Sequence, residues 1–194
     1  MTEHNLTLPV NDAQVENLSM GDTVYLTGTV YTARDMAHLE IKRLREKGEP
    51  LPVELSGRAI FHAGPVVRKT DKGWELVVIG PTTSIRMEPH AGMTGELGVK
   101  LIIGKGGLAK DSREMFQKHK QAYLQAAPGC AVQLAAGVKK VTTAYWPENG
   151  MPEAMWVLEV ERFGPFIVTM DTWGNSRYDE VKDKAYQRIK QIYG

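Results

Sequence analysis

The sequence predicts a mixed α/β domain with a sheet-rich core and helices around it. Three observations carry that expectation. Short apolar runs recur along the chain, among them LVVI at 76–79, LII at 101–103 and FIV at 166–168. Segments with apolar residues every three or four positions lie between such runs. The 194 residues are enough for one well-buried core, and no repeat, low-complexity tract or linker divides them. One domain over 1–194 is expected, with an irregular polar segment at 1–20.

The elements follow in order. Residues 23–31, TVYLTGTVY, alternate β-branched, aromatic and small side chains and read as a strand closed by Thr32 and Ala33. In ARDMAHLEIKRLREKGEP, Ala37, Ile41 and Leu44 fall on one helical face, and Gly48 with Pro50 ends the helix. AIFHAGPVV is a short apolar run broken by Gly64-Pro65, and KTDKGW is a turn signalled by Asp71 and Gly73. WELVVIG reads as a buried strand, and GVKLIIGKGG as another strand running into a glycine-rich loop. DSREMFQKHKQAYLQ is helical, with Asp111 and Glu114 at capping-box spacing. PGCAVQLAAGVKKVTTAYW gives a short helix and then a strand. MWVLEVERF and PFIVTMD are two strands joined through Gly164-Pro165. A turn at Trp173-Gly174-Asn175 precedes a terminal helix with Val181, Ala185, Ile189 and Ile192 on one face.

Bulk properties exclude several classes of function. Twenty-four basic and 23 acidic residues leave a formal charge of +1, which gives no global reason to expect nucleic acid or a membrane surface as partner. No apolar stretch approaches membrane-spanning length, and the start MTEHNLTLPV lacks a basic region followed by an apolar one, so a cytoplasmic location is expected. The single cysteine, Cys130, precludes an internal disulfide and any site needing several thiolates from this chain. His4, His38, His62, His90 and His119 show no H-x-H or H-x-x-x-H spacing, so no metal site is expected here.

Three junctions carry chemistry-bearing residues. GPTTSIRM at 80–87 follows an apolar run and holds three hydroxyls and a fixed cation. It fits a helix capped by Thr82 or Thr83 with a surface arginine. On the motif alone that reading comes first; the other is one wall of an anion site, with Arg86 one helical turn beyond Thr83 and able to grip a carboxylate. GKGG at 104–107 is no Walker loop, since Gly106 stands where Ser or Thr is required, but it puts Lys105 on a side-chain-poor loop at a strand end. TARDMAH places Arg34 and Asp35 at a third strand-to-helix junction. Ligands of α/β sheets commonly sit at such carboxyl ends, and three cations there suit a substrate with two carboxylates, with phosphate as the competing choice.

Taken together, GDTVYLTGTVYTARDMAH, FHAGPVV, GPTTSIRM, GVKLIIGKGG and FGPFIVTMDTWGN resemble, in this order, the β subunit of two-subunit class I fumarases and L(+)-tartrate dehydratases. In single-chain class I fumarases the corresponding part is the C-terminal domain. The resemblance implies a single swivelling β/β/α domain and a hydro-lyase acting on a C4 dicarboxylate. It implies a [4Fe-4S] cluster held by three cysteines of a partner α subunit, in a heterotetramer of two α and two β chains. It places the family's general base at Thr82 and its carboxylate-binding groups at Arg34, Thr83, Arg86 and Lys105. The family's proposed acid lies in the α part, and His62 matches a position that single-chain enzymes can fill with tyrosine. Reversible hydration of fumarate to malate is the first expectation and L(+)-tartrate dehydration the second. A non-catalytic anion-binding or assembly module is the alternative of another class.

Overall fold

The computed structural model describes residues 1–71 and 73–193. The chain begins with β1 (Glu3–Thr7), α1 (Asp12–Glu16), β2 (Thr23–Thr32) and α2 (Asp35–Lys47). Next come β3 (Ala59–Phe61), β4 (Val66–Thr70), β5 (Gly73–Val78), a 3₁₀ segment at Ser84–His90 and α3 (Ala91–Glu96). The second half holds β6 (Leu101–Gly104), α4 (Lys110–His119), β7 (Ala122–Gln125), α5 (Ala131–Ala136), β8 (Val138–Tyr145), β9 (Met155–Met170) and α6 (Arg177–Tyr193).

Alternation along three short strands sets the layers. Ala59, Phe61, Leu101, Ile103, Ala122 and Leu124 face one buried cluster. Ile60, Ile102 and Tyr123, the residues between them, face a second. A strand with both faces buried reads as a continuous apolar run, as LII does. β2, β3, β6 and β7 pair in parallel, and β9 runs antiparallel to both β7 and β2. These pairings close a five-stranded ring whose interior holds Phe61, Phe163 and Phe166 in mutual edge-to-face contact. β1 extends the sheet beside the first half of β2, and β8, β5 and β4 extend it from the first half of β9. The second cluster lies between the strands and the helices, where Ala37 and Ile41 of α2 and Phe116 of α4 meet it. This is the mixed sheet core with surrounding helices that the sequence predicts.

Several elements differ from the sequence reading. The first twenty residues are not irregular: they hold β1 and α1. Asp22 explains the order, accepting hydrogen bonds from the Thr2 and Ser19 N–H groups and pairing with His4 Nε2 at 3.0 Å. Leu6, Leu8, Val10, Val15 and Leu18 supply the buried side of that segment. MWVLEVERF and PFIVTMD form one strand, β9, which bends where Arg162 and Gly164 take positive φ of 45° and 150°. β5 is mostly exposed rather than buried, with Val77 at 50%.

Helix ends differ too. Asp111 does not cap α4; Ala109 stands at that position, and Glu88 accepts from the Ala109 and Ser112 N–H groups at 2.8 and 2.9 Å. QAYLQ leaves this helix at Lys120, which has φ 55°, and continues as β7. The apolar face of α6 forms as expected, yet Val181, Ala185, Ile189 and Ile192 are all exposed.

Phe163 is fully buried, with ring centroids 5.8 Å from Phe61 and 5.0 Å from Phe166. Truncation there leaves a cavity in the middle of the ring. Phe163→Ala is expected to cost about 3–5 kcal/mol of unfolding free energy, measured by urea denaturation. A loss below about 1 kcal/mol would show that this triad does not support the ring.

Candidate active site

Parallel pairing fixes where the candidate residues emerge. Thr32 of β2 lies beside Phe61 of β3, and Phe61 beside Ile103 of β6, so the three carboxyl ends share one edge. The next residues along the chain are Ala33–Asp35, His62–Gly64 and Lys105–Gly107. Residues 81–84 cross this edge and stitch it together. Thr82 N–H donates to the His62 carbonyl at 2.7 Å, and Ser84 N–H donates to the Lys105 carbonyl at 3.0 Å. Ala63 bridges to Pro81, and Thr83 bridges to Lys105.

The two readings of GPTTSIRM separate here. Thr83 precedes the 3₁₀ segment but makes no side-chain capping bond. Neither threonine hydroxyl has a hydrogen-bond partner among the described residues, so neither is committed to holding the backbone. Arg86 does not return to the start of its own helical turn. It reaches Asp35 at the head of α2, with Nη2 2.5 Å from Oδ2, and so ties the second junction to the first.

Arg34 Nη1 packs close to the backbone at Gly64. A Cβ on Gly64 would come within 2.8 Å of Arg34 Nη1, so glycine is what lets the guanidinium settle there. Arg34 Nη2 pairs with Glu153 Oε1 at 3.0 Å, and the other Glu153 oxygen accepts from Met36 N–H at 3.1 Å. Arg34 Nε is buried without a hydrogen-bond partner among the described residues. The Lys105 ammonium has no carboxylate partner among the described residues and is half-buried. Two of the three predicted cations are thus paired within the chain, and the third is available.

A buried polar group lies beneath this edge. Alternation places His62, Gly104 and Tyr123 on the helix-facing side of β3, β6 and β7. Ser84 Oγ fills the space left by the missing side chain of Gly104, where an added Cβ would collide with it. Tyr123 O–H donates to Ser84 Oγ at 2.8 Å, and Ser84 Oγ lies 2.9 Å from His62 Nδ1. Burial drives His62 well below the usual histidine range and pushes the Tyr123 phenol up, so both stay neutral. His62 packs edge-on against His38 at 5.5 Å, and His38 stacks on His90 at 5.1 Å.

The sequence marked Arg34, Thr82, Thr83, Arg86 and Lys105 but gave no role to Ser84, Tyr123 or Glu153. Ser84 carried a signal, as the third hydroxyl of GPTTS. Tyr123 and Glu153 carried none, because each is distant in the chain from its partner.

The buried histidines make stability depend on pH. Burial holds His38 at about 4 against an ordinary 6.5, with the Arg34 carbonyl 2.8 Å from Nδ1. A depressed folded-state value means that the unfolded chain binds more protons below 6.5. Stability is therefore full above pH 6.5 and lost as pH falls toward 4, by roughly 3 kcal/mol from His38 alone. His62 and His90 shift in the same direction and steepen the loss. Urea midpoints at pH 7.5 and 5 are expected to differ accordingly, and His38→Leu should flatten the profile. Equal midpoints in the unsubstituted protein would contradict this account.

Comparisons with known proteins identify the family of the chain. The family model described as Fumarase C-terminus matches residues 1–181. The L(+)-tartrate dehydratase subunit beta of Escherichia coli is 45% identical over 188 residues, covering 96% of this chain and 92% of that protein. A putative L(+)-tartrate dehydratase subunit beta of Methanocaldococcus jannaschii is 45% identical over 185 residues, covering 93% of each. A putative fumarate hydratase class I of Geobacillus stearothermophilus is 37% identical over 189 residues, 96% of this chain but 36% of that protein. No helix among the described residues is long and apolar enough to cross a membrane. With a model match over most of its length and relatives at 45% identity, this chain belongs to the Fumarase C-terminus family.

Proposed function

We propose that the chain is the β subunit of an iron–sulfur hydro-lyase that hydrates or dehydrates a C4 dicarboxylate, with residues 1–194 acting as one unit in the cytoplasm. The observation that carries this reading is the meeting of residues 33–35, 81–86 and 105 at one sheet edge, through the Thr82–His62, Ser84–Lys105 and Arg86–Asp35 contacts.

Arg34, Arg86, Lys105 and Thr83 hold the two carboxylates. Removing a proton from carbon beside a carboxylate builds charge on that carboxylate, and fixed cations stabilise it as it grows. Holding both ends of the substrate also orients the leaving proton toward the base. Thr82 serves as that base in its deprotonated, alkoxide form, which the cations of this edge stabilise, and its segment is hydrogen-bonded to that of Lys105. Asp35 and Glu153 keep Arg86 and Arg34 extended until substrate carboxylates compete for them.

The chain's own residues do not furnish a cluster site. Cys130 is its one cysteine, and no group of three His, Cys, Asp or Glu among the described residues is placed to hold a metal. The [4Fe-4S] cluster is assigned to an α subunit, in a heterotetramer of two α and two β chains. When bound there it supplies Lewis-acid assistance to the departing hydroxyl.

Fumarate is the first substrate expected. L(+)-tartrate is favoured as the second by the relatives of matching length that carry the tartrate dehydratase name at 45% identity. Activity is expected only when the chain is co-produced with its α partner under exclusion of oxygen. Relative kcat/KM on fumarate, L-malate and L(+)-tartrate then assigns the substrate. In that enzyme Thr82→Ala should lower kcat by about 10²–10⁴-fold. Activity near that of the unsubstituted enzyme would remove Thr82 from its role, and a tight dicarboxylate complex of this chain alone, with no partner, would favour a binding module instead.

A further inference from the structure

We propose that Ser84 is the positioning residue of the site, and that Tyr123, Ser84 and His62 together hold the loop carrying Thr82 in register with the loop carrying Lys105. This rests on the reading of Thr82 as base and Lys105 as carboxylate ligand.

The geometry is specific. Ser84 lies two residues after Thr82 and is fully buried. Its backbone N–H donates to the Lys105 carbonyl at 3.0 Å, and Lys105 N–H approaches the Thr82 carbonyl at 3.4 Å. Its hydroxyl is held from both sides, by Tyr123 O–H at 2.8 Å and His62 Nδ1 at 2.9 Å. With Tyr123 donating, the Ser84 proton is left for Nδ1, which places the imidazole proton on Nε2. His62 in turn grips the loop of the base, its carbonyl accepting from Thr82 N–H at 2.7 Å, while Tyr123 is anchored in β7 beside β6, the strand that leads to Lys105.

One hydroxyl therefore links three chain segments, those of His62, Ser84 and Tyr123. Gly104 belongs to the same device, because any side chain there would displace Ser84 Oγ. His62 and Tyr123 are fully buried, so neither can contact a substrate lying on the exposed side of Thr83 and Arg86. Their influence on chemistry runs through the position of Thr82. A displacement of about 1 Å at a reacting group can cost on the order of 10²-fold in rate.

The test uses the co-produced two-subunit enzyme. Absence of hydro-lyase activity in the unsubstituted enzyme would refute the function proposed above and leave the positioning claim to be judged on the correct reaction. Given activity, Ser84→Ala is expected to lower kcat roughly 10- to 100-fold with KM held within about threefold. The primary deuterium isotope effect on kcat should rise, measured with substrate deuterated at the carbon that loses its proton, because proton abstraction by a misplaced base becomes rate-limiting.

His62→Leu should behave alike. His62→Asn, whose amide oxygen keeps an acceptor near the Nδ1 position, should recover at least about tenfold of that loss, a rescue that general loosening does not predict. Tyr123→Phe serves as the second variant if Ser84→Ala does not fold. The proposal is overturned if kcat in Ser84→Ala stays within twofold of the unsubstituted enzyme. It is equally overturned if kcat falls with an unchanged isotope effect and equal losses in His62→Leu and His62→Asn.

Discussion

Because β2, β3 and β6 run parallel with Thr32 beside Phe61 and Phe61 beside Ile103, the chain must leave all three strands on the same edge. Parallel neighbours cannot be joined by tight hairpins, so each exit begins a longer crossover, and the residues just after each strand become loop tips at a fixed spacing. Arg34, His62 and Lys105 owe their proximity to this constraint alone. Residues 81–84 lie along the same edge and close the gaps with backbone hydrogen bonds. A slip of β3 by one residue against β6 would send His62 to the ring interior and dismantle both the edge and the buried group beneath it.

The charges at this edge differ in how firmly they are held. The Arg86–Asp35 pair is about two-fifths exposed on each side, and solvent-screened pairs of that kind contribute little to stability. Arg34 and Glu153 are each about one-fifth exposed, and Glu153 also serves an N–H at the head of α2. Arg34 is thus the better-fixed cation and Arg86 the more easily recruited. Lys105, without a carboxylate partner among the described residues, is the cation that needs no exchange before meeting an anion.

Much of this was legible in the sequence for local reasons. The runs AIF and LII announced buried strands, and the motifs at 32–38, 80–87 and 104–107 lay at strand ends because glycine, threonine and helix-starting residues mark such ends. The misses share a cause. β1 depends on Asp22, up to twenty residues away, which accepts from the Thr2 N–H just ahead of the strand and pairs with the His4 side chain within it, and α4 depends on Glu88 rather than on its own Asp111. β9 looked like two strands because Gly164-Pro165 signals a turn, yet pairing with β2 on both sides of the bend keeps the strand continuous. In the site, Ser84 and Tyr123 stand 39 residues apart, and Arg34 and Glu153 have no local pattern linking them. Local spacing reports which residues reach an edge; it does not report what lies behind them.

What lies behind them is uncharged, and that choice has a physical reason. A histidine or tyrosine that ionised beneath Thr82 would add a charge within the low-dielectric interior, where it interacts strongly with the cations above. A cation there would compete with Arg34, Arg86 and Lys105 by repulsion, and an anion would neutralise them. Burial prevents both, moving His62 down and Tyr123 up so that each is neutral across the range in which the protein is stable. A neutral chain of hydrogen bonds can then fix the backbone without altering the field that attracts a dicarboxylate. The same burial that makes the histidines sensitive to acid therefore keeps the positive charge of the edge on Arg34, Arg86 and Lys105.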